Sequence, residues 1–307
     1  MLISAQNECM RNRYGDRKAF EMMKEAGFTG VDFTTDLMDD FDEVVMAPGA
    51  VSKAESIRKI AADVGIPIVG AHAPFEFRSN MAMNESEPKF RRLVRAIEFA
   101  GALGAPLIVV HALRLQPEDW LEDLREDQKR TKDLNLRWYG ILQPYAKNAG
   151  IKLAVENLCG LSSGPEPTVR LLGDARSYTE ILDELDPRYF TGCFDVGHAN
   201  LTTGDPASFI REAGKHIHFL HLHDNDGRRD SHLMPAFRAL EAPTRSKSYT
   251  VPWKEVAEAL RDIHYDGPFN FEITTWFRTF SDELLPEALA LSVKAAEPMM
   301  KIIEGKA

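Results

Sequence analysis

HIHFLHLHDNDGRRDSH, residues 216–232, opens as an apolar alternation and closes as a cluster of histidines, aspartates and arginines. Ile217, Phe219 and Leu222 can fill a core, whereas His221, His223, Asp224, Asp230 and His232 are costly to bury unless something pairs with them. A strand running out of a core into a polar loop has this pattern. Five of the nine histidines fall in these 17 residues, so a metal site is the first chemistry to test.

Working outward, the same unit recurs on both sides: a short apolar run, a polar residue, then a longer amphipathic stretch. Strands are expected over residues 2–5, 30–34, 66–71, 106–110, 151–155, 189–194, 217–222 and 268–271. Helices are expected over residues 16–26, 51–64, 87–103, from the charged segment 116–133 to about 148, and over 174–185, 206–213, 253–263 and 283–303. Asp16 is a candidate N-cap, and Gly27, Gly65, Gly104 and Gly150 supply stops. Eight units in 307 residues is about 38 residues each, the size of a βα unit. The architecture that closes eight such units is a single-domain α/β (β/α)8 TIM barrel over residues 1–307. A doubly wound open sheet would need a glycine-rich phosphate turn after an early strand, and none of the first three strands has one.

Composition fits an ordinary soluble protein: 44% of residues are hydrophobic, and 47 acids against 37 Lys and Arg give a formal charge of −10. Net acidity argues against a protein that coats nucleic acid, without excluding a local basic cleft. Cys9, Cys159 and Cys193 are an odd number at no metal-finger spacing, which fits a reducing cytosol. The N-terminus has no signal-peptide pattern and no stretch approaches 18 apolar residues, so a cytoplasmic location with no membrane span is expected. A homo-oligomer is compatible with the sequence.

From the third strand on, every strand ends on a candidate ligand: His72, His111, Glu156, Asp195 with His198, His221, and Glu272. A lone polar residue at a strand end is commonly a cap, but a parallel barrel brings all these ends to one mouth. A mixed Glu, Asp and His set favours Mn, Zn, Co or Mg over soft-ligand metals. Two carboxylates across a substrate also supply the acid and base for moving a proton on carbon.

The segments GIKLAVEN (150–157), CFDVGHAN (193–200), FLHLHDND (219–226) and FNFEIT (269–274) resemble the metal motifs of the xylose isomerase-like TIM-barrel superfamily. That superfamily includes sugar isomerases and epimerases and the endonuclease IV class of apurinic-site endonucleases. The resemblance runs from EAGFTGVDF (25–33) to the last strand. The epimerase branch implies one divalent ion held by Glu156, Asp195, His221 and Glu272. There Glu156 and Glu272 double as the proton-transferring pair, and His198 contacts substrate. Arg228 lies near the place of a substrate-binding arginine, one position late.

The endonuclease branch implies up to three ions. His72 and His111 would share one with Glu156, while His198, Asp230 and His232 would hold another. Two departures separate the chain from those nucleases: Leu222-His223-Asp224 stands where they carry Leu-Asn-Asp, and the segment 233–253 lacks their Gly-Glu-Gly. The run of His-x-His-Asp-Asn-Asp-Gly followed by Asp-x-His-Leu resembles sugar isomerase-like relatives best.

Among the remaining candidates, His223 is expected to point to the other side of the strand from His221, in a structural or supporting role. His216, His218 and His264 read as surface or capping residues. Cys159, with no dedicated base beside it, reads as a small buried residue rather than a nucleophile. Phe75, Trp276 and Phe277 follow strand ends and suit either a sugar-stacking or a packing role. Arg78, Arg114, Arg228, Arg229 and Arg278 fall in loops on the active face, where they could meet a phosphate or balance the acids. The expected activity is a metal-dependent isomerase or epimerase of a small-molecule carbohydrate, free or phosphorylated. The alternatives are a metal-cluster phosphodiesterase of the endonuclease IV type and a non-catalytic sugar-binding barrel.

Overall fold

The structure is a computed structural model that describes residues 1–75, 77–119, 121, 123–159, 172–235 and 250–306. In chain order the elements are β1 (Ile3–Ala5), α1 (Glu8–Ala26), β2 (Val31–Thr34), α2 (Phe41–Val44), α3 (Ala50–Val64), β3 (Ile68–His72), α4 (Pro88–Leu103) and β4 (Leu107–Val110). There follow α5 (Leu124–Ala149), β5 (Lys152–Glu156), α6 (Ala175–Glu184), β6 (Phe190–Asp195), α7 (Val196–Thr203), α8 (Pro206–Ala213), β7 (Ile217–His221), α9 (Trp253–Asp262), β8 (Phe269–Phe271), α10 (Thr274–Phe277) and α11 (Leu285–Ile303).

β2 to β7 form a six-stranded parallel sheet in sequence order, and β1 pairs with β8 in parallel. Single bridges join the two sheets, Gln6 to Asp32 on one side and Leu222 to Phe271 on the other. The eight strands therefore close on themselves, which is the expected (β/α)8 TIM barrel.

Strand alternation sorts the side chains. Ile108, Val110, Leu153, Val155, Phe194 and Leu220 pack in the core shared with the helices. Val109, Ala154, Cys193 and Phe219 point inward and fill the barrel as a separate buried cluster. Two residues further along the same inward rows stand His111, Glu156, Asp195 and His221. The polar mouth is thus the next layer above an apolar plug. Gly70 belongs to that plug, because a Cβ there would stand 2.7 Å from Phe219 Cζ.

Local signals set the helix ends. Asp174 and Asp205 accept hydrogen bonds from the Ser177 and Ser208 backbone N–H groups and so cap α6 and α8. Gly65 and Gly104 close α3 and α4 at φ values of 77° and 84°.

The structure differs from the expectation at α1, which starts at Glu8 rather than at residue 16. Gly15 sits inside it with φ 78° and ψ 171°, a kink that hides the first two turns from a periodicity argument. Asp16 pairs with Arg11 Nε at 2.9 Å and accepts no capping backbone N–H among the described residues. The short helices α2, α7 and α10 were not expected. Among the described residues no helix is long and apolar enough to cross a membrane.

Candidate metal centre

Glu156, Asp195 and His221 are the last residues of β5, β6 and β7, and Glu272 follows β8. All four are buried, at 1%, 0%, 0% and 8% exposure. Three carboxylates in so dry a place require positive charge close by. Their atoms gather on one nitrogen: His221 Nδ1 lies 3.0 Å from Glu156 Oε1, 3.2 Å from Glu272 Oε2 and 4.0 Å from Asp195 Oδ2. Donors bound at about 2.0–2.2 Å to one ion stand ~3–3.5 Å apart. The four residues therefore fit a divalent ion. Glu272 Oε2 is also buried and without a hydrogen bond. The opposite ring nitrogen, His221 Nε2, faces inward 3.9 Å from Asp32 Oδ2.

A second group flanks the first through the other oxygen of Glu156. His111 Nε2 stands 2.7 Å and His72 Nε2 3.8 Å from Glu156 Oε2. That oxygen is buried, and the close approach lacks hydrogen-bond alignment. His72 donates Nδ1–H to the Ala73 carbonyl at 2.9 Å, because a carbonyl can only accept. In the neutral ring this leaves the Nε2 lone pair facing Glu156.

A third group lies on the opposite side. His198 donates Nδ1–H to the Asn157 carbonyl and His232 donates Nδ1–H to the Glu272 carbonyl, each at 3.0 Å. Both rings then turn Nε2 to the same atom, Asp230 Oδ2, at 3.2 Å each. Two neutral imidazoles would aim lone pairs at a carboxylate, so protons or a metal ion must sit between them. His232 holds this pose at φ 44°, a backbone conformation uncommon for a residue with a side chain.

The charges follow one logic. Burial opposes the imidazolium form, but acids outweigh it at His221 (with Cys193, Glu272 and Glu156), at His198 (with Asp195 and Asp230) and at His72 (with Asp36 and Glu156). All three are raised well above the ordinary histidine range. His232 is raised to about 10, where burial is outweighed by Glu272 and Asp230. Burial likewise opposes ionisation of Glu156, Glu272 and Asp230, and the facing histidines override it and hold all three well below the carboxylate range. His111 is the exception: burial keeps it below the usual value despite Glu156. The field that retains protons on the other histidines is one that favours a divalent cation in their place.

The scaffold around these groups is specific. Asn157 clamps the Asp195 backbone, accepting from its N–H at 2.7 Å and donating to its carbonyl at 2.9 Å. Asp195 Oδ1 caps α7 by accepting from the His198 backbone N–H at 2.6 Å, so one motif fixes both side chains and leaves Oδ2 for the centre. Gln6 Nε2 donates to Glu272 Oε1 at 3.0 Å, turning Oε2 toward His221.

The four residues expected as metal ligands and the five offered as further metal or substrate ligands thus come together. His223 does not point away as expected, because it stands two residues past His221, the step that keeps side chains on one face of an extended chain. Its ring is fully buried, with Nε2 3.1 Å from Asp195 Oδ2 and the plane stacked on His232 at 4.1 Å. Arg228 is exposed; its backbone N–H bonds Asp226, and its side chain has no hydrogen bond among the described residues. Arg278 is taken up by Glu8, while the Arg78 and Arg114 loops pair through a backbone bridge. Phe75 lies at the rim, 38% exposed and 5.1 Å from the His111 ring, whereas Phe277 is core. Gln6 lies outside every motif quoted from the sequence, and Asp32 and Asn157 fall inside quoted segments without having been given a role.

Comparison with known proteins agrees with this architecture. Residues 20–291 match the family model described as xylose isomerase-like TIM barrel. An uncharacterized protein of Methanocaldococcus jannaschii is 32% identical over 208 residues, covering 66% of this chain and 62% of that protein's length. A D-psicose 3-epimerase of Enterocloster bolteae is 28% identical over 147 residues, covering 44% of this chain and 43% of that one. Among solved structures, a D-tagatose 3-epimerase-like protein superposes with a TM-score of 0.71 at 22% identity, covering 100% of this chain and 99% of the other. By its closed eight-stranded barrel and by the family model that spans most of its length, the chain belongs to the xylose isomerase-like TIM-barrel family.

Proposed function

We propose that the protein is a divalent-metal-dependent isomerase or epimerase of a small-molecule carbohydrate. The observation that carries this is the pair Glu156 and Glu272, whose carboxylates reach the same His221 nitrogen from β5 and β8 at 3.0 and 3.2 Å. Glu156, Asp195, His221 and Glu272 would hold the ion, which when bound supplies Lewis-acid polarisation of a substrate carbonyl. Glu156 and Glu272, kept ionised by the facing histidines, serve as the proton-transferring pair: one takes the hydrogen from the carbon beside the carbonyl and the other returns one. Delivery from the opposite face inverts that carbon. Gln6 holds Glu272 in the pose this requires. The matched D-psicose 3-epimerase supports this class of chemistry. The substrate contact expected of His198 draws no support from its geometry, since both ring nitrogens are engaged. Arg228 would have to swing inward to reach a substrate.

A metal-cluster phosphodiesterase of the endonuclease IV type is the second candidate, favoured by the flanking His72–His111 and His198–Asp230–His232 groups. There, ions held by these groups would supply an activated water as nucleophile. Assaying ketose interconversion and abasic-duplex cleavage on one preparation of known metal content separates the two. Sugar turnover that is lost on chelation supports the epimerase. Three ions per chain with duplex cleavage and no sugar turnover selects the phosphodiesterase, and a metal-free protein inert in both assays leaves a binding barrel.

A further inference from the structure

The sequence offers Cys159 only a packing role, yet the fold sets it against the third group of ligands. Cys159 follows β5 at 4% exposure. Its Sγ, a ring nitrogen of His198 and a carboxylate oxygen of Asp230 all lie within 4.8 Å of one another. Asp230 Oδ2 is in turn 3.2 Å from His232 Nε2.

We propose that Cys159 Sγ is the fourth donor to a metal ion held by His198, Asp230 and His232, making this a thiolate-bearing site that selects zinc over manganese and magnesium. The inference rests on these three residues being metal ligands and is independent of the sugar chemistry at the central cluster. Both histidines spend Nδ1–H on backbone carbonyls and keep Nε2 for the site. Asp230 Oδ1 is buried without a hydrogen bond, so the carboxylate has capacity to spare. Two neutral imidazoles, one carboxylate and one thiolate cancel the charge of a divalent ion, which suits a buried place. Four protein donors close a tetrahedron and leave no position for substrate, the pattern of a structural zinc site.

The central cluster is built instead from three carboxylates and one imidazole, a set that suits manganese or magnesium. One chain would therefore sort two metals by the softness of its donors. On binding, Cys159 releases its thiol proton to solvent and the sulfur lone pair forms the bond to the ion.

The test is a cobalt(II) titration of the metal-free full-length protein, followed in the near ultraviolet. The expected result is a thiolate-to-cobalt charge-transfer band that saturates at one equivalent, is displaced by zinc and not by manganese, vanishes in Cys159→Ser and persists in Cys193→Ala. Zinc affinity should fall by at least about 10-fold in Cys159→Ser, the scale at which even supporting residues register. Cobalt binding without the band, or a band that survives Cys159→Ser, overturns the assignment. Failure to bind cobalt at all overturns it together with the metal role of His198, Asp230 and His232. Should Cys159→Ser not fold, X-ray absorption on the zinc-loaded wild type decides: a sulfur shell at ~2.3 Å supports the site, and a purely nitrogen and oxygen shell refutes it.

Discussion

Replacing Glu272 by glutamine changes shape least and chemistry most. In the native protein Glu272 Oε1 accepts from Gln6 and Oε2 faces His221 Nδ1. A glutamine that keeps its oxygen toward Gln6 turns its NH2 group, a donor, to the point where an acceptor is required. If this weakens manganese binding by about 10- to 100-fold, the loss can be worked out as ligand-induced stability. At a metal concentration near 100 times the wild-type dissociation constant, binding stabilises the fold by about 2.7 kcal/mol, and the weakened variant retains about 1.4 to 0.4 kcal/mol. The difference, about 1.3 to 2.3 kcal/mol, is a drop of a few degrees in the metal-induced rise of Tm. Ketose turnover should fall by about 10²- to 10⁴-fold, the worth of a positioned general base. Thermal shift with and without manganese, beside a turnover assay, measures both. A variant with the wild-type metal shift and undiminished turnover would refute the role given to Glu272.

Other perturbations probe the scaffold. A Cβ at Gly197 collides with the His223 ring, so Gly197→Ala should cost about 1–3 kcal/mol by denaturant unfolding and weaken metal binding through the lost contact with Asp195. Gln6→Met removes the donor to Glu272 and should lower kcat with the metal retained, at a stability cost of about 1.5–3 kcal/mol for a hydrogen bond to a charged group; an unchanged kcat contradicts its positioning role. In the metal-free protein the raised His232 contributes stability that is fully present below about pH 6.5 and is lost as pH rises through about 10. The depressed Glu156 and Glu272 contribute stability above about pH 4.5 that is lost as pH falls. Metal competes with the histidine protons, so apparent metal affinity, followed by titration calorimetry, should rise from pH 6 to pH 9.

Much of this was legible because a parallel barrel turns strand order into a ring: any polar residue that ends an inward row is delivered to the same mouth. Ala154 to Glu156, Cys193 to Asp195 and Phe219 to His221 each keep the two-residue step. His223 broke the expectation because the same two-residue step from His221 keeps it on the face of the site rather than turning it away. α7 was hidden by its brevity, although its cap is Asp195, already singled out as a candidate ligand. Gln6, Asp32 and Asn157 act through contacts between segments distant in sequence, which periodicity does not encode. Arg228 was placed by spacing, yet spacing does not say where a long side chain on a loop will lie. The segment 233–253, whose departure from the nuclease pattern weighed in the sequence argument, lies in part outside the described residues.

The measurement that bears most directly on the central claim is incorporation of solvent deuterium into a ketose, followed by NMR with the manganese-loaded protein in D2O. A proton shuttle between Glu156 and Glu272 predicts deuterium at the carbon beside the carbonyl together with its epimer, lost on chelation and in Glu156→Gln. Stoichiometric metal at the centre with no exchange across a panel of ketoses and ketose phosphates would contradict it.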